Sequence, residues 1–154
     1  MFLKRNVHLK KGEAEKAEFL RWLKKMRPDV MVPKISVVVW EDPRVKPKLP
    51  NGMRAVYSFH SAGRALKVGI AGGPNASARY NYQHYRCDPQ SSTLANDVVK
   101  TMPDLNPENV ADWIRENTIR IDFILPADTP DEITDALERQ LIHKWDPKFE
   151  GRRR

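Results

Sequence analysis

The stretch RAVYSFHSAGRALKVGIA, Arg54 to Ala71, decides the fold, because it reads as two strands folded back on each other around Ser61-Ala62-Gly63. A three-residue loop ending in glycine suits a type I turn followed by a left-handed residue and a bulge, since glycine takes positive φ without strain. That loop sets His60 opposite Arg64 and therefore Tyr57 opposite Lys67 on one face, with Val56, Leu66, Val68 and Ile70 on the other. The second face is expected to be core. The first carries Tyr57 and Lys67 among Ala55, Ala65 and Gly69, small residues expected to leave room for a ligand beside two polar groups.

Downstream of the hairpin, Gly72-Gly73-Pro74-Asn75 leads into a helix expected to run to about Tyr85, with Asn75 as its cap. On that helix Arg79, Gln83 and Arg86 share a face, and Tyr80 and His84 share the adjacent one. Two further helices are expected over Ser92 to Lys100 and Pro107 to Asn117, the second opened by Asn106 and Pro107. Thr118 to Leu125 alternates Ile119, Ile121, Phe123 and Leu125 and reads as a third strand. Thr129 to Glu132 forms a capping box for a last helix that turns Ile133, Leu137 and Leu141 inward, with Glu138 beside that apolar stripe.

Upstream, Phe19, Leu20, Leu23 and Met26 recur at helical spacing within a helix read as Glu13 to Met26, and Ile35 to Trp40 is a β-branched run of strand character. Glu41 to Gly52 holds Pro43, Pro47, Pro50 and Gly52 among charges and reads as a linker. The division expected is therefore an extension over 1–52 and a main domain over 53–154. The fold class is α+β, a small three-stranded antiparallel sheet flanked by helices, with an N-terminal helix and strand added.

The whole composition agrees with one folded domain: 154 residues, 40% hydrophobic and 31% charged. The longest apolar run is too short to cross a bilayer, and Met1 to Lys11 lacks the apolar middle of a secretory signal, so no membrane partner and a cytoplasmic location are expected. Cys87 is the single cysteine, which excludes an intramolecular disulfide and a cysteine-rich zinc site. An excess of 27 Lys and Arg over 20 Asp and Glu, +7 in all, favours a polyanionic partner. His60 lies at the hairpin end on the face opposite Tyr57, and His143 lies a turn beyond Glu138 without a partner spacing, so neither reads as a ligand. Arg152-Arg153-Arg154 reads either as a phosphate grip or as a solvated tail.

The order Ala55-Val56-Tyr57, then Lys67-Val68-Gly69 ten residues on, then Arg79 on a helix, then Leu137 to Ile142 followed by Pro147, resembles the GIY-YIG nuclease superfamily. The resemblance covers roughly two thirds of the chain, from Arg54 onward. The first signature has Ala-Val-Tyr for Gly-Ile-Tyr. In the second, Lys67 stands where most members have tyrosine, as in some restriction-enzyme members. The asparagine often found after the late proline is replaced by Glu150 near that place.

The resemblance implies a DNA endonuclease, with DNA as partner and Mg²⁺, or another divalent cation such as Mn²⁺, held by Glu138. A carboxylate oxygen suits a hard ion that keeps most of its waters. Tyr57 takes the place of the family's general base or water-orienting group. A phenol with a pKa of about 10 needs help to ionise, and Lys67 across the hairpin is expected to supply it. Arg79 takes the place of the phosphate-gripping arginine, a role suited to its planar fork. Tyr82 and His84 fall where relatives carry further polar helpers. The rival reading is a catalytically silent nucleic-acid-binding module with the same fold.

Overall fold

The computed structural model describes residues 2–149, so the readings placed on Glu150 and on Arg152 to Arg154 lie outside the described residues. The strands are β1 (Ser36–Trp40), β2 (Met53–Ser61), β3 (Arg64–Ala71) and β4 (Ile119–Pro126). The helices are α1 (Phe2–Met26), α2 (Ala76–Asn81), α3 (Leu94–Thr101), α4 (Val110–Asn117) and α5 (Asp131–Trp145), with a 3₁₀ turn at Gln83–Tyr85. One antiparallel sheet runs in the order β1-β4-β2-β3. The α+β class is as expected, but the sheet has four strands rather than three. Ser36–Trp40 pairs along β4, from Ser36 opposite Ile124 to Trp40 opposite Arg120.

The hairpin turn is tighter than the sequence suggests. Ala62 and Gly63 both have positive φ, 51° and 80°, the signature of a two-residue type I′ turn whose twist matches the strands it joins. Ser61 pairs with Arg64, His60 with Ala65 and Phe59 with Lys67, so Leu66 is the extra residue of a bulge. The expected pairs His60–Arg64 and Tyr57–Lys67 are thus each displaced, and Tyr57 lies opposite Gly69. Tyr57 and Lys67 still share a face, as diagonal neighbours. Freed by the bulge, Leu66 packs in the same cluster as Tyr57, not with Val56 and Val68 as expected.

Both faces of the sheet are buried. On one, Val56, Val68, Ile121, Phe123 and Leu125 meet Phe19 and Leu23 of α1 and Ile133, Leu137 and Leu141 of α5. On the other, Ala55, Tyr57, Phe59 and Ile124 meet Tyr80, Tyr85, Leu94, Val98, Val110 and Ile114. The expectation of an open face around Tyr57 is therefore corrected: a layer made by α2, the 3₁₀ turn, α3 and α4 covers it. No helix among the described residues is long and apolar enough to cross a membrane.

Local capping also departs from expectation. Asn75 precedes α2 without a side-chain cap bond, and that helix ends at Asn81 rather than reaching Tyr85, because Tyr82 adopts φ −148°. Helix α3 begins at Leu94, capped by the Thr93 hydroxyl on Asn96 N–H, and α4 begins after Asn109, not at Pro107. The capping box at Thr129 is not made, since Pro130 precedes α5 and the Thr129 hydroxyl has no hydrogen-bond partner. Helix α1 starts well before Glu13, and Met26 on it is exposed. Beyond α5 the chain turns at Asp146, in the left-handed region, and Lys148 and Phe149 donate backbone N–H bonds to Ala65 and Leu66 on the free edge of β3.

Candidate active site

Tyr57 sits mid-strand in β2, and its ring lies across β3 where Gly69 has no side chain. A Cβ at Gly69 would meet the hydroxyl and approach Cζ to 2.6 Å. The small residues once expected to leave room for a ligand thus make room for the tyrosine itself. Tyr57 is 0% exposed, and its hydroxyl stands 2.6 Å from His84 Nε2. The two rings pack with centroids 4.7 Å apart. The break between α2 and the 3₁₀ turn swings His84 inward onto the sheet, where it is also buried.

The charges of three further groups act on that hydroxyl. Burial pushes the Tyr57 hydroxyl up to about 12, the positive charges of Arg79 and Arg120 oppose that rise, and the Glu138 carboxylate adds to it. Burial also holds His84 well below its ordinary value, helped by Arg79, Lys67 and Arg120. Glu138 is half-buried on α5 beside Leu137 and Leu141, as its position next to the apolar stripe predicts. Arg79 is half-buried as well and donates to the Ser92 carbonyl at 3.4 Å.

Lys67 is 5% exposed, and its ammonium is engaged away from the phenol. It donates to Asp97 Oδ2 at 3.1 Å, to Ser92 Oγ at 3.3 Å and to the Phe149 carbonyl at 3.3 Å. The phenol's direct neighbour is His84, so the expected Tyr57–Lys67 pairing is corrected to a Tyr57–His84 bond, with the Lys67 charge felt by His84. The displaced register explains the change, since Phe59 and not Tyr57 stands opposite Lys67.

Beneath these groups lies a pair that the alternation of β4 conceals. Arg120 and Asp122, both buried, form an ion pair at 3.1 Å. Arg120 donates to the Tyr80 carbonyl at 2.8 Å and lies over the Phe59 and Tyr80 rings, at 4.7 and 4.3 Å from their centroids. Asp122 accepts the Ser58 N–H at 3.1 Å, and burial raises its carboxyl against the pull of Arg120.

Four of the six sequence-derived candidates, Tyr57, Lys67, Arg79 and His84, thus come together through the Tyr57–His84 bond and through Ser92, while the Glu138 carboxylate, on α5, reaches the phenol through its charge. Tyr82 stands apart: it is 47% exposed, with the Arg86 guanidinium over its ring at 4.9 Å. Sequence reading missed Asp97, Ser92, Arg120 and Asp122. A charge pair, Arg120 and Asp122, inside a strand whose other residues are Ile, Phe, Leu and a final Pro was the available signal for the last two. Asp97 and Ser92 carried none. A separate cleft of about 680 Å³ at the hairpin tip, lined by His8, Lys11, His60 and Glu116 among others, includes none of the six.

The described residues contain no group of three or more His, Cys, Asp and Glu able to hold a metal. A single carboxylate such as Glu138 still fits a hydrated hard cation, whose remaining positions water and a phosphate oxygen fill. Compared with protein-family models, with curated proteins and with solved structures, this chain finds no match.

Proposed function

We propose that this chain is a metal-dependent DNA endonuclease of the GIY-YIG type, hydrolysing a phosphodiester to a 5′-phosphate and a 3′-hydroxyl. The observation that carries the reading is that the Tyr57 phenol is bonded to His84 and feels the charges of Arg79 and Glu138, with Lys67 and Arg79 both bonded to Ser92, so that residues from five separate elements meet there. Phosphodiester cleavage needs a positioned water, counter-charge for the pentavalent phosphorus and a site for a hard ion. Arg79 supplies a permanent cation, and Lys67 adds a second. Glu138 would hold Mg²⁺ or Mn²⁺, which supplies Lewis acidity toward the phosphate when bound. Tyr57 orients the attacking water through its hydroxyl. A net charge of +7 favours the polyanionic substrate.

The complete burial of Tyr57 favours a second reading, a nucleic-acid-binding module that keeps the fold without turnover. One experiment separates the two. Purified protein is incubated with plasmid and with single-stranded DNA in Mg²⁺ or Mn²⁺, beside Glu138→Gln, which removes charge at nearly constant shape. The nuclease reading requires metal-dependent nicking that the variant loses while still binding DNA. Undiminished nicking by Glu138→Gln overturns the site, and binding without nicking by the wild type selects the silent module.

A further inference from the structure

The imidazole of His84 is held at both of its nitrogens. Nε2 faces the Tyr57 hydroxyl at 2.6 Å, and Nδ1 accepts the backbone N–H of Leu94 at 3.1 Å. A nitrogen that accepts from an amide has its lone pair occupied and carries no proton. In a neutral imidazole the single proton then belongs to the other nitrogen. Leu94 is the first residue of α3, and its N–H is among those left without a partner inside the helix. The neighbouring Thr93 hydroxyl is already used on Asn96 N–H, which leaves the Leu94 amide free for the imidazole.

We propose that the Leu94 amide locks His84 as the neutral Nε2–H tautomer, so that His84 donates a hydrogen bond to the Tyr57 oxygen and cannot act as the base that takes the Tyr57 proton. The Tyr57 proton is thereby turned away from His84. A donor at Nε2 strengthens as negative charge grows on the phenol oxygen, so His84 is a positioning residue for the phenolate. Three features oppose an imidazolium. A proton on Nδ1 would face the Leu94 N–H, the ring is buried, and the positive end of α3 together with Arg79, Lys67 and Arg120 repels a further charge. What the tyrosine then acts on rests on the nuclease reading. The tautomer does not.

The test is ¹⁵N NMR of the full chain with labelled histidine at neutral pH. The expected signature is one pyridine-type nitrogen, Nδ1, and one protonated Nε2. A protonated Nδ1, or an imidazolium, overturns the proposal. Leu94→Pro removes the amide donor at the first position of a helix, where proline is well suited, and Thr93 already has the extended φ −112° and ψ 156° that a following proline requires. In that variant the Nδ1–H tautomer should appear, and a tautomer unchanged from wild type removes Leu94 from the lock. Where the wild type cleaves DNA, His84→Gln, which keeps an N–H donor, should retain more than tenfold the activity of His84→Leu, and equal loss in both contradicts the donor role. A wild type without cleavage rejects the nuclease reading and leaves the NMR result to decide this proposal alone.

Discussion

At the scale of single residues, Gly69 and Tyr57 form one unit. The ring occupies the volume a side chain at position 69 would fill, and this carries the hydroxyl across β3 toward His84 and the sheet edge. Gly69→Ala should therefore do more than crowd a core. Overpacking of this kind costs about 1–3 kcal/mol, and here the group displaced is the phenol on which the site is centred. The expected outcome is a lowered denaturation midpoint together with a shifted Tyr57 ring resonance and loss of its contact with His84. An alanine variant with wild-type stability and an unmoved Tyr57 resonance would contradict the packing described. Lys67 obeys a different logic. Its ion pair with Asp97 is partly open to solvent, so the pair holds the ammonium in place more than it stabilises the fold.

At the scale of elements, α1 lies tight against the sheet at Gly12, where a Cβ would come within 2.5 Å of Val37 Cγ1 and 2.9 Å of Ile121 Cγ2. Two effects compete on substitution. Replacing glycine by alanine inside a helix ordinarily stabilises by about 1 kcal/mol, while forcing two β-branched side chains apart costs about 1–3 kcal/mol. Because χ1 of Val37 and Ile121 is stiff, packing should win, and Gly12→Ala should lower the urea midpoint. A raised midpoint would show that α1 rides higher over β1 and β4 than this contact requires. The periodicity of Phe19, Leu20 and Leu23 revealed the helix but not this approach, which depends on β1, a strand whose place in the sheet no local pattern specifies.

The same limit explains what else was legible. Alternation in β4 was readable because its Ile119, Ile121, Phe123 and Leu125 all face one apolar cluster, and the apolar stripe of α5 because it is buried on one side, while the candidates Tyr57, Lys67, Arg79 and Glu138 came from the resemblance. The hairpin register was not, because Ala62 adopting positive φ beside Gly63 turned a three-residue loop into a two-residue one. That single difference moved Lys67 from Tyr57 to Phe59 and left His84 as the phenol's partner. Asp97 and the Leu94 amide were invisible for a related reason, since they reach the site only through the packing of α3 against the 3₁₀ turn.

At the scale of the whole molecule, buried histidines tie stability to pH. Burial, with Lys11 and His8 nearby, lowers His60 from 6.5 to about 3, and the ring is held by the Ser58 hydroxyl at 2.9 Å and against Trp145. Between those two values the unfolded chain binds a proton that the folded chain refuses, so stability falls as pH drops from about 6.5 toward 3. Each such histidine contributes a slope of up to about 1.4 kcal/mol per pH unit, and His84 acts in the same direction. Urea midpoints measured from pH 7 to pH 4 should decline, and His60→Phe should decline less steeply. Equal slopes in the two proteins would remove His60 from the account.

The short segment that follows α5 has one more role. β3 is the outer strand on its side of the sheet, and an outer strand with unpaired carbonyls is a template on which another chain can assemble. Lys148 and Phe149 occupy the Ala65 and Leu66 carbonyls, and the Phe149 carbonyl also receives Lys67. The few residues that steady the lysine therefore also seal the sheet against its own copies. Phe149→Pro, which deletes the donor to Leu66, should open that seam and favour self-association, visible as concentration-dependent growth in light scattering, while a variant that stays monomeric would show that the edge is guarded by something else.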